Sequence, residues 1–188
     1  MTSAPALVIL RGNSASGKST IARKVQHDLP RGRIAVIGQD PVRREVLWEE
    51  NDNPVSTIAL TEVMVLHCLS RGRTVILEGI FKVARYGQMF QRLLTGHDGP
   101  ALVYYLDVSL AETLRRHALK PIAGIVSDDE VASWYVERDT LGVPGEVLLP
   151  ERMSEDALVT RILSDLAALG VSGGAMSPPD HAASHLSP

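Results

Sequence analysis

The chain of 188 residues contains a single cysteine, Cys68, and no long apolar run. A lone cysteine excludes an intrachain disulfide bond and a structural zinc site built from several cysteines. No stretch approaches the roughly 20 apolar residues that are needed to span a bilayer. The apolar run near the N-terminus, Ala6–Leu10, is too short for a signal peptide and has no charged segment before it. We therefore expect a soluble, cytoplasmic protein with no membrane partner.

The sequence also lacks an excess of charge of either sign. It has 19 Lys and Arg residues against 22 Asp and Glu residues, which gives a formal net charge of −3. Proteins that bind duplex DNA normally carry a basic stripe, so this balance argues against that class. The 6 histidines show no metal-ligand spacing, and no histidine metal site is expected. Hydrophobic residues make up 45% of the chain, which is enough to pack one domain of ordinary size.

Short apolar runs alternate with longer amphipathic segments along the chain. Continuously apolar runs are typical of parallel strands that are covered on both faces, and all the runs but the last are of this kind. The predicted strands are Ala6–Leu10, Ile34–Ile37, Thr74–Leu77, Ala101–Leu106 and Glu146–Leu149. The predicted helices are Ser19–Asp28, Pro41–Glu49, Val55–Ser70, Ala84–Leu94, Ser109–His117, Asp128–Arg138 and Ser154–Leu169. Such alternation predicts an α/β protein with a layered sheet and right-handed crossovers.

The end of the chain differs in composition from the rest. Residues 171–188 are rich in Ser, Gly, Pro and Ala and have few large apolar side chains. Such a segment cannot bury enough apolar surface to offset the entropy of ordering it. We expect a disordered tail there and a single domain over residues 1–170.

The segment GNSASGKS, from Gly12 to Ser19, fits the pattern G-x-x-x-x-G-K-[ST] between a predicted strand and a predicted helix. The glycines let the backbone curl so that successive N–H groups point at phosphate oxygens, aided by the helix N-terminus. Lys18 is predicted to reach the β- and γ-phosphates, and the Ser19 hydroxyl to ligate Mg²⁺. The pattern predicts ATP and Mg²⁺ as cofactors, with the nucleotide bound by Gly12, Asn13, Ser14, Ala15, Ser16, Gly17, Lys18, Ser19 and Thr20.

Glu78 lies at the carboxyl end of the third predicted strand, where open α/β sheets place their ligands. One role for it is to hold Mg²⁺ through water, as an acidic residue in a Walker B position does. The other is to cap the turn or helix that follows. The sequence leaves both open.

Asp40 follows the second predicted strand, and Arg43 comes three residues later on the same helical face. A carboxylate at this point can orient an acceptor hydroxyl beside the γ-phosphate and accept its proton. Arg43 can then grip an anionic part of the acceptor. Alternatively, Asp40 is only the N-cap of a helix that has Pro41 at its first position. An N-cap carboxylate still offers one oxygen outward, so the two roles are compatible.

Two other classes of P-loop protein are disfavoured. GTPases read guanine with Asn-Lys-x-Asp after a late strand, and this tetrapeptide does not occur. Transporter-type ATPases need a Ser-Gly-Gly signature upstream of their Walker B acid, and here this tripeptide begins at Ser172, after every predicted strand. Both absences favour a small kinase.

The P-loop, the strand-ending Asp40 with Arg43, Glu78-Gly79 and a later arginine pair together resemble P-loop kinases of the nucleoside-monophosphate-kinase-like group. The pattern is similar to polynucleotide 5′-hydroxyl kinase domains, chloramphenicol phosphotransferase and zeta-toxin-like kinases over about residues 6–169. The resemblance implies a three-layer P-loop fold with a five-stranded parallel sheet in the order 2-3-1-4-5 and a helical lid at about 115–140. It matches Asp40 to the general base and Arg43 to the arginine that binds the acceptor phosphate in polynucleotide kinases.

The arginine pair Arg115 and Arg116 follows the fourth predicted strand. In the kinases that the chain resembles, arginines of a lid close over the nucleotide, stacking on its base or neutralising charge on the transferred phosphoryl group. The alternative is a solvated basic helix end, which the helix dipole favours. Lys120 and Arg138 are further lid candidates, and residues 122–129 are a candidate hinge.

Lys82 and Arg85 follow Glu78-Gly79 and are the expected contacts for the acceptor, together with Asp40, Arg43 and Glu78. Their spacing places both on one helical face, which fits a solvated surface equally well. Trp134 is expected to pack in the core or the lid.

Three functions remain open at this point. The leading one is transfer of the ATP γ-phosphoryl group to a hydroxyl of a small-molecule acceptor. A nucleic-acid 5′-hydroxyl kinase is favoured by Asp40 and Arg43 but disfavoured by the charge balance and the absence of a basic channel. A nucleotide-dependent switch requires Asp40 to be structural only. The acceptor's identity and the oligomeric state are not encoded in any pattern of the sequence.

Overall fold

The structure is a computed structural model that describes residues 4–50, 54–119 and 124–171. Lys120, the first two residues of the predicted hinge and residues 172–188 of the predicted tail lie outside these ranges. Within the described ranges, no helix combines the length and the apolar character that a bilayer crossing requires.

The sheet has five parallel strands in the order β2-β3-β1-β4-β5. This confirms the predicted α/β class, the parallel pairing and the strand order. Each predicted strand overlaps an observed one, and most continue for one or two residues toward the site. The strands are β1 Leu7–Gly12, β2 Ile34–Gly38, β3 Thr74–Gly79, β4 Ala101–Asp107 and β5 Val147–Pro150.

Helices cover both faces of this sheet and make three layers. One face packs against α1 and α7 through residues such as Ile21, Val25 and Ile162. The other packs against α3 and α4 through residues such as Val65 and Phe90. The helices are α1 Lys18–His27, α2 Gln39–Pro41, α3 Val55–Ser70, α4 Val83–Gly96, α5 Leu110–His117, α6 Asp128–Trp134 and α7 Glu155–Ala168. Burial of both sheet faces explains why the strands are apolar without alternation.

The α-helix predicted at Pro41–Glu49 does not form as one continuous α-helix, so this prediction is wrong. The chain makes only a short α-helical segment, α2, and continues as a π-helical turn over Val42–Val46. The Leu47 N–H donates to the carbonyl of Val42 at 3.0 Å, five residues back, and that wider bond pattern defines the turn. π-Helical turns are frequent at functional sites.

The helix predicted at Asp128–Arg138 is too long, because α6 ends at Trp134. Tyr135 has extended backbone angles, and the N–H of Val136 donates to the side-chain oxygen of Asn13 at 3.1 Å. A bond to a distant residue thus takes the amide that a longer helix would use internally.

A fully buried guanidinium, that of Arg11, lies at the end of β1. Its Nη2 donates to a carboxylate oxygen of Asp139 at 2.8 Å and to the carbonyl of Phe81 at 2.9 Å. The rings of Phe90 and Tyr105 lie 5.7 Å from its central carbon. Burial lowers the pKa of Arg11, and the nearby Asp139 carboxylate opposes this shift. A carboxylate, a carbonyl and two aromatic rings thus replace part of the water that the charge has lost, while Nη1 lies 3.8 Å from Glu146 and has no hydrogen-bond partner within the described residues.

The Arg11–Asp139 pair yields a stability prediction. Asp139→Asn leaves the buried guanidinium without its closest counter-charge, so we expect a loss of about 3 kcal/mol in the free energy of unfolding. Urea denaturation measures this loss. Glu62→Gln is the control, because it breaks an ion pair with Arg92 that lies at the surface and is expected to cost no more than about 1 kcal/mol. Equal losses in the two variants would contradict the role assigned to the buried pair.

Candidate active site

The predicted phosphate-binding loop runs from the end of β1 to the start of α1. Gly12 and Gly17 both have positive φ angles, 150° and 99°. A Cβ at Gly12 would lie 2.9 Å from the carbonyl oxygen of Leu106, so the position excludes any side chain. The Nζ of Lys18 folds back and donates to the carbonyl of Asn13 at 2.7 Å and to the hydroxyl of Ser16 at 3.1 Å. The loop is therefore curled around its own lysine, as a phosphate cradle requires.

The side chain of Asn13 is used within the protein. Its amide donates to the carbonyl of Val136 at 2.8 Å and to the hydroxyl of Tyr105 at 3.2 Å, and its oxygen accepts from the Val136 N–H. These bonds attach the segment after α6 to the phosphate-binding loop. Sequence reasoning had placed Asn13 among the nucleotide contacts and did not anticipate this second role.

Ser19 and Glu78 meet at the base of the loop, where the Ser19 hydroxyl donates to Oε1 of Glu78 at 2.9 Å. Glu78 is buried, and burial raises the pKa of its carboxyl, opposed by Lys18 and by the bond from Ser19. A Cβ at Gly38 would lie 2.8 Å from the same oxygen, so a side chain at the end of β2 would displace the Glu78 carboxylate from this position. Hydroxyl and carboxylate oxygens are the ligands that Mg²⁺ prefers, and this pair fits the predicted ion.

Asp40 lies inside the first turn of α2, whose N-cap is Gly38. The interpretation of Asp40 as an N-cap is therefore wrong. Its Oδ1 accepts from Nη2 of Arg43 at 3.2 Å and lies 3.5 Å from Nε of Arg44. The Asp40 side chain is 59% exposed, so the carboxylate keeps room for another partner. Arg43 itself is buried and also donates to the carbonyl of Glu49 at 3.3 Å.

Two clefts open at the carboxyl ends of the strands. The first has a volume of about 580 Å³, and the second about 470 Å³. Both are lined by Ser14, Asp40 and Ile80, so Asp40 lies on the boundary between them. The rest of the first cleft is formed by Ala15, Ser16, Gly17, Lys18, Ser19, Thr20, Ile21, Arg116, Leu119, Met153, Ser154, Glu155 and Leu158. The second is completed by Gln39, Arg43, Arg44, Phe81, Lys82, Arg85, Tyr86 and Trp134.

The two lid candidates Arg115 and Arg116 have different positions. Arg116 lines the first cleft, and its Nη1 donates to the carbonyl of Ser16 in the phosphate-binding loop at 3.3 Å. Arg115 is 65% exposed and lines neither cleft. Both donate to Glu112 at 2.6 Å and lower the pKa of that carboxyl to about 2. Only Arg116 is thus brought to the predicted nucleotide site.

Three of the remaining predicted residues line the second cleft. Lys82 and Arg85 both line it, so they are brought together with Asp40 and Arg43. Trp134 lines it as well, whereas the sequence favoured packing in the core or the lid over a base-stacking platform. The lid candidate Arg138 donates instead to Asp107 at 3.1 Å. Lys120 lies outside the described residues.

Sequence reasoning missed Gln39 altogether. Its amide nitrogen donates to the hydroxyl of Tyr86 at 2.8 Å, and its oxygen accepts from the Phe81 N–H at 3.0 Å. A Cβ at Gly79 would lie 2.6 Å from the Cβ of Gln39, so the glycine after Glu78 permits this contact. Gln39 therefore fixes the loop before α4 against α2. The Glu78-Gly79 pair was the signal in the sequence for this close approach.

The comparison with known families agrees with this geometry. A family model described as an AAA domain matches residues 7–138, which is more than two thirds of the chain. The chain belongs to the AAA domain family. The matched range covers the phosphate-binding loop, Asp40, Glu78, Arg115 and Arg116. Together with solved structures of kinases, this assignment confirms the predicted resemblance to P-loop kinases. No curated protein matches the chain.

Solved structures of kinases share the fold. The Mycobacterium tuberculosis APS kinase CysC, in complex with AMPPNP and APS, has a TM-score of 0.70 at 18% identity, over 88% of this chain and 99% of that one. A gluconokinase from Sinorhizobium meliloti 1021 has a TM-score of 0.62 at 14% identity, over 89% and 94%. A chain of the Pnkp1/Rnl/Hen1 complex has a TM-score of 0.51 at 20% identity, over 62% of this chain and 40% of that one. The AAA domain protein described here thus has a P-loop kinase fold.

The raised pKa of Glu78 sets a pH dependence of stability. Because the pKa of Glu78 is higher in the folded protein than in the unfolded chain, the native state holds this proton more tightly. The free energy of unfolding therefore falls as the pH rises from the unfolded pKa to the folded one. Glu78→Gln removes the cost of the buried charge. We expect its Tm to exceed that of the wild-type protein by a few degrees at neutral pH, with the difference vanishing near about pH 4.

Thermal denaturation without nucleotide or metal, across this pH range, measures the difference. Glu62→Gln is the control of opposite sign, because the pKa of Glu62 is lowered by its bond with Arg92. That variant is expected to lose a little stability at neutral pH. A Glu78→Gln protein that is less stable than wild type at neutral pH would show that Glu78 stabilises the fold as a charge.

Proposed function

We propose that this protein is an ATP-dependent phosphotransferase that moves the γ-phosphoryl group to a hydroxyl of a small-molecule acceptor. The observation that carries the proposal is the position of Asp40 on the boundary between the two clefts. The phosphate-binding loop lines the first cleft, which suits the nucleotide. The second cleft is large enough for a small molecule. A carboxylate between donor and acceptor sites is where a general base for this transfer must lie.

The proposed reaction assigns each side chain a physical task. Asp40 orients the acceptor hydroxyl and takes its proton as the oxygen forms a bond to the γ-phosphorus. The bond between the γ-phosphorus and the bridging oxygen of ADP breaks as the new bond forms. Lys18 and Arg116 stabilise the negative charge that spreads over the transferred group. Arg116 is the phosphate-facing lid arginine in this scheme, because it already contacts the carbonyl of Ser16.

Ser19 and Glu78 are the residues that would hold Mg²⁺, Glu78 through water. A bound Mg²⁺ would supply positive charge at the β- and γ-phosphates. Among the other residues that line the first cleft, Leu119, Met153 and Leu158 offer apolar surface for the base.

A nucleic-acid 5′-hydroxyl kinase is the second candidate. The contact between Arg43 and Asp40 favours it, since an arginine there can bind a phosphate next to the accepting hydroxyl. A nucleotide-dependent switch is the candidate from another class. In that case Asp40 serves only the local structure, and hydrolysis does not depend on an acceptor.

Asp40→Asn separates these functions. We expect acceptor-stimulated release of ADP from ATP and Mg²⁺ to fall at least about 100-fold, because an amide cannot take the proton. Binding of ATP should stay within about threefold of wild type, since Asp40 touches no residue of the phosphate-binding loop in the hydrogen bonds described. Asp28→Asn, at the far end of α1, is the matched control and should keep full activity.

The measurement is ATP consumption with nucleosides, 5′-hydroxyl oligonucleotides, aminoglycosides, phenicols and UDP-sugars as acceptors. Stimulation by oligonucleotides alone would favour the second candidate. Slow ATP hydrolysis that changes neither with the acceptor nor in Asp40→Asn would contradict the phosphotransferase proposal and favour the nucleotide-dependent switch.

The lid arginines provide a matched pair of variants. Arg116→Ala removes a cation from the nucleotide cleft, and we expect ATP affinity or turnover to fall about tenfold or more. Arg115→Ala removes the neighbouring arginine, which shares the partner Glu112 but lines neither cleft. It should stay within about twofold of wild type. Equal effects in the two variants would mean that the loss comes from the helix rather than from the nucleotide contact.

A further inference from the structure

The exposed apolar side chains are concentrated in one segment of the chain. Eight large hydrophobic residues are exposed within the described ranges, and five of them come from residues 46–66. These five are Val46, Trp48, Val55, Val63 and Leu66. Isolated exposed apolar residues are normal on a protein surface, whereas a concentration of them marks a surface that contacts a partner. This segment is therefore a candidate interface.

Three of these residues lie along one side of α3. Val55, Val63 and Leu66 are exposed there together with Ala59, and their spacing of four, four and three places all four on one helical face. We call these four residues the α3 stripe. The opposite side of α3 packs into the core through Val65. A helix that is apolar on both sides is normally covered on both sides, yet nothing in the described part of the chain covers the stripe.

The α3 stripe carries no charge. Glu62 is the only Asp, Glu, Lys or Arg residue of α3, and its carboxylate accepts two bonds from Arg92 of α4, at 2.8 and 2.6 Å. A face without charge offers no counter-charge to a nucleic acid or a charged peptide. Two copies of this chain, each with a formal net charge of −3, meet with least repulsion through such a face. The absence of charge thus favours a second copy.

Trp48 lies near the start of α3 in an unusual conformation. Its side chain is 89% exposed, and its φ angle of 54° is in the left-handed region that bulky residues rarely adopt. The next residue, Glu49, holds the chain in place, because its N–H donates to the carbonyl of Arg43 at 2.9 Å and its carboxylate accepts from the Thr57 hydroxyl of α3 at 3.1 Å. Strained backbone is typical of functional surfaces, and tryptophan is enriched among the residues that dominate interfaces.

The size and the arrangement of this surface suit a symmetric pair. The α3 stripe with Val46 and Trp48 exposes apolar surface on the order of 600 Å², near the roughly 800 Å² that each partner contributes to a standard interface. A two-fold axis across the middle of α3 makes the two copies of the helix antiparallel. The large Trp48 at the start of one helix then faces the C-terminal end of the other, where Leu66 is followed by the small Ser70. The surface is thus complementary to itself.

We propose that the protein forms a homodimer in which two α3 helices pack antiparallel through the α3 stripe and Trp48. Val63 is the ninth of the 16 residues of α3, so it lies close to the two-fold axis and meets its own copy. None of the stripe residues lines either cleft, and neither does Trp48, so both clefts stay open in the dimer. The inference goes beyond the proposed function and does not depend on it.

Sedimentation equilibrium of the full chain tests the proposal. We expect a species of twice the chain mass of 20.4 kDa at micromolar concentration, with dissociation on dilution. Val63→Glu places two like charges against each other at the axis and should weaken the dimer about 100-fold or more. Ile125→Glu is the matched control, because Ile125 is 83% exposed but lies before α6, outside the segment 46–66. Both variants change exposed side chains and should keep the thermal stability of the wild-type monomer.

Cross-linking tests the antiparallel arrangement in a Cys68→Ser background. Val63→Cys should form an interchain disulfide on oxidation with diamide, because the axis brings its two copies within bonding distance. Val55→Cys should not, because the antiparallel arrangement separates its two copies by about 24 Å along the helices. A wild-type protein that stays monomeric would overturn the inference. So would a dimer that survives Val63→Glu, or equal cross-linking through positions 55 and 63.

Discussion

The desolvated charge of Arg11 is the constraint on which the rest of the site depends. It immediately precedes Gly12, and its partners come from the loop before α4 and from the segment after α6. Asp139 also accepts from the N–H of Val83, the first residue of α4. A single guanidinium therefore fixes the relative position of the phosphate-binding loop and the walls of the second cleft. Without an anion and a carbonyl at this point, burying the charge would cost several kcal/mol.

Electrostatic compromises of this kind recur throughout the site. Glu78 is held with a raised pKa beside Ser19, and the buried Nη1 of Arg11 has no hydrogen-bond partner within the described residues. Each arrangement costs the free protein stability, while the long-range packing of α1, α3, α4 and α7 against the sheet supplies it. Such local violations at otherwise well-packed positions are typical of functional sites, where ligands later satisfy the groups. The helices thus pack against the sheet in the usual way, and these unfavourable electrostatic interactions lie at the proposed site.

The sequence predicts well whatever depends on neighbouring residues. The apolar runs gave the strands, and the GNSASGKS segment gave the phosphate-binding loop, because both are patterns of adjacent positions. Prediction from the sequence fails where contacts between distant residues determine the local structure. α6 ends at Trp134 because the side-chain oxygen of Asn13 accepts a hydrogen bond from the N–H of Val136. The role of Arg11 likewise depends on Asp139, which is distant in sequence and which the fold brings beside it. Which of Arg115 and Arg116 lines the first cleft depends on the rotation of α5 against the phosphate-binding loop, and composition does not encode that rotation.

Ser14, Asp40 and Ile80 belong to both clefts, so the clefts share a wall. Two clefts that share a wall can be filled by a single compound. A nucleotide joined by a short linker to a ligand of the second cleft would contact both clefts at once. Because the second contact becomes intramolecular, such a two-part ligand gains affinity beyond that of either half. The shared wall thus makes this AAA domain protein accessible to inhibitors that neither cleft alone would hold tightly.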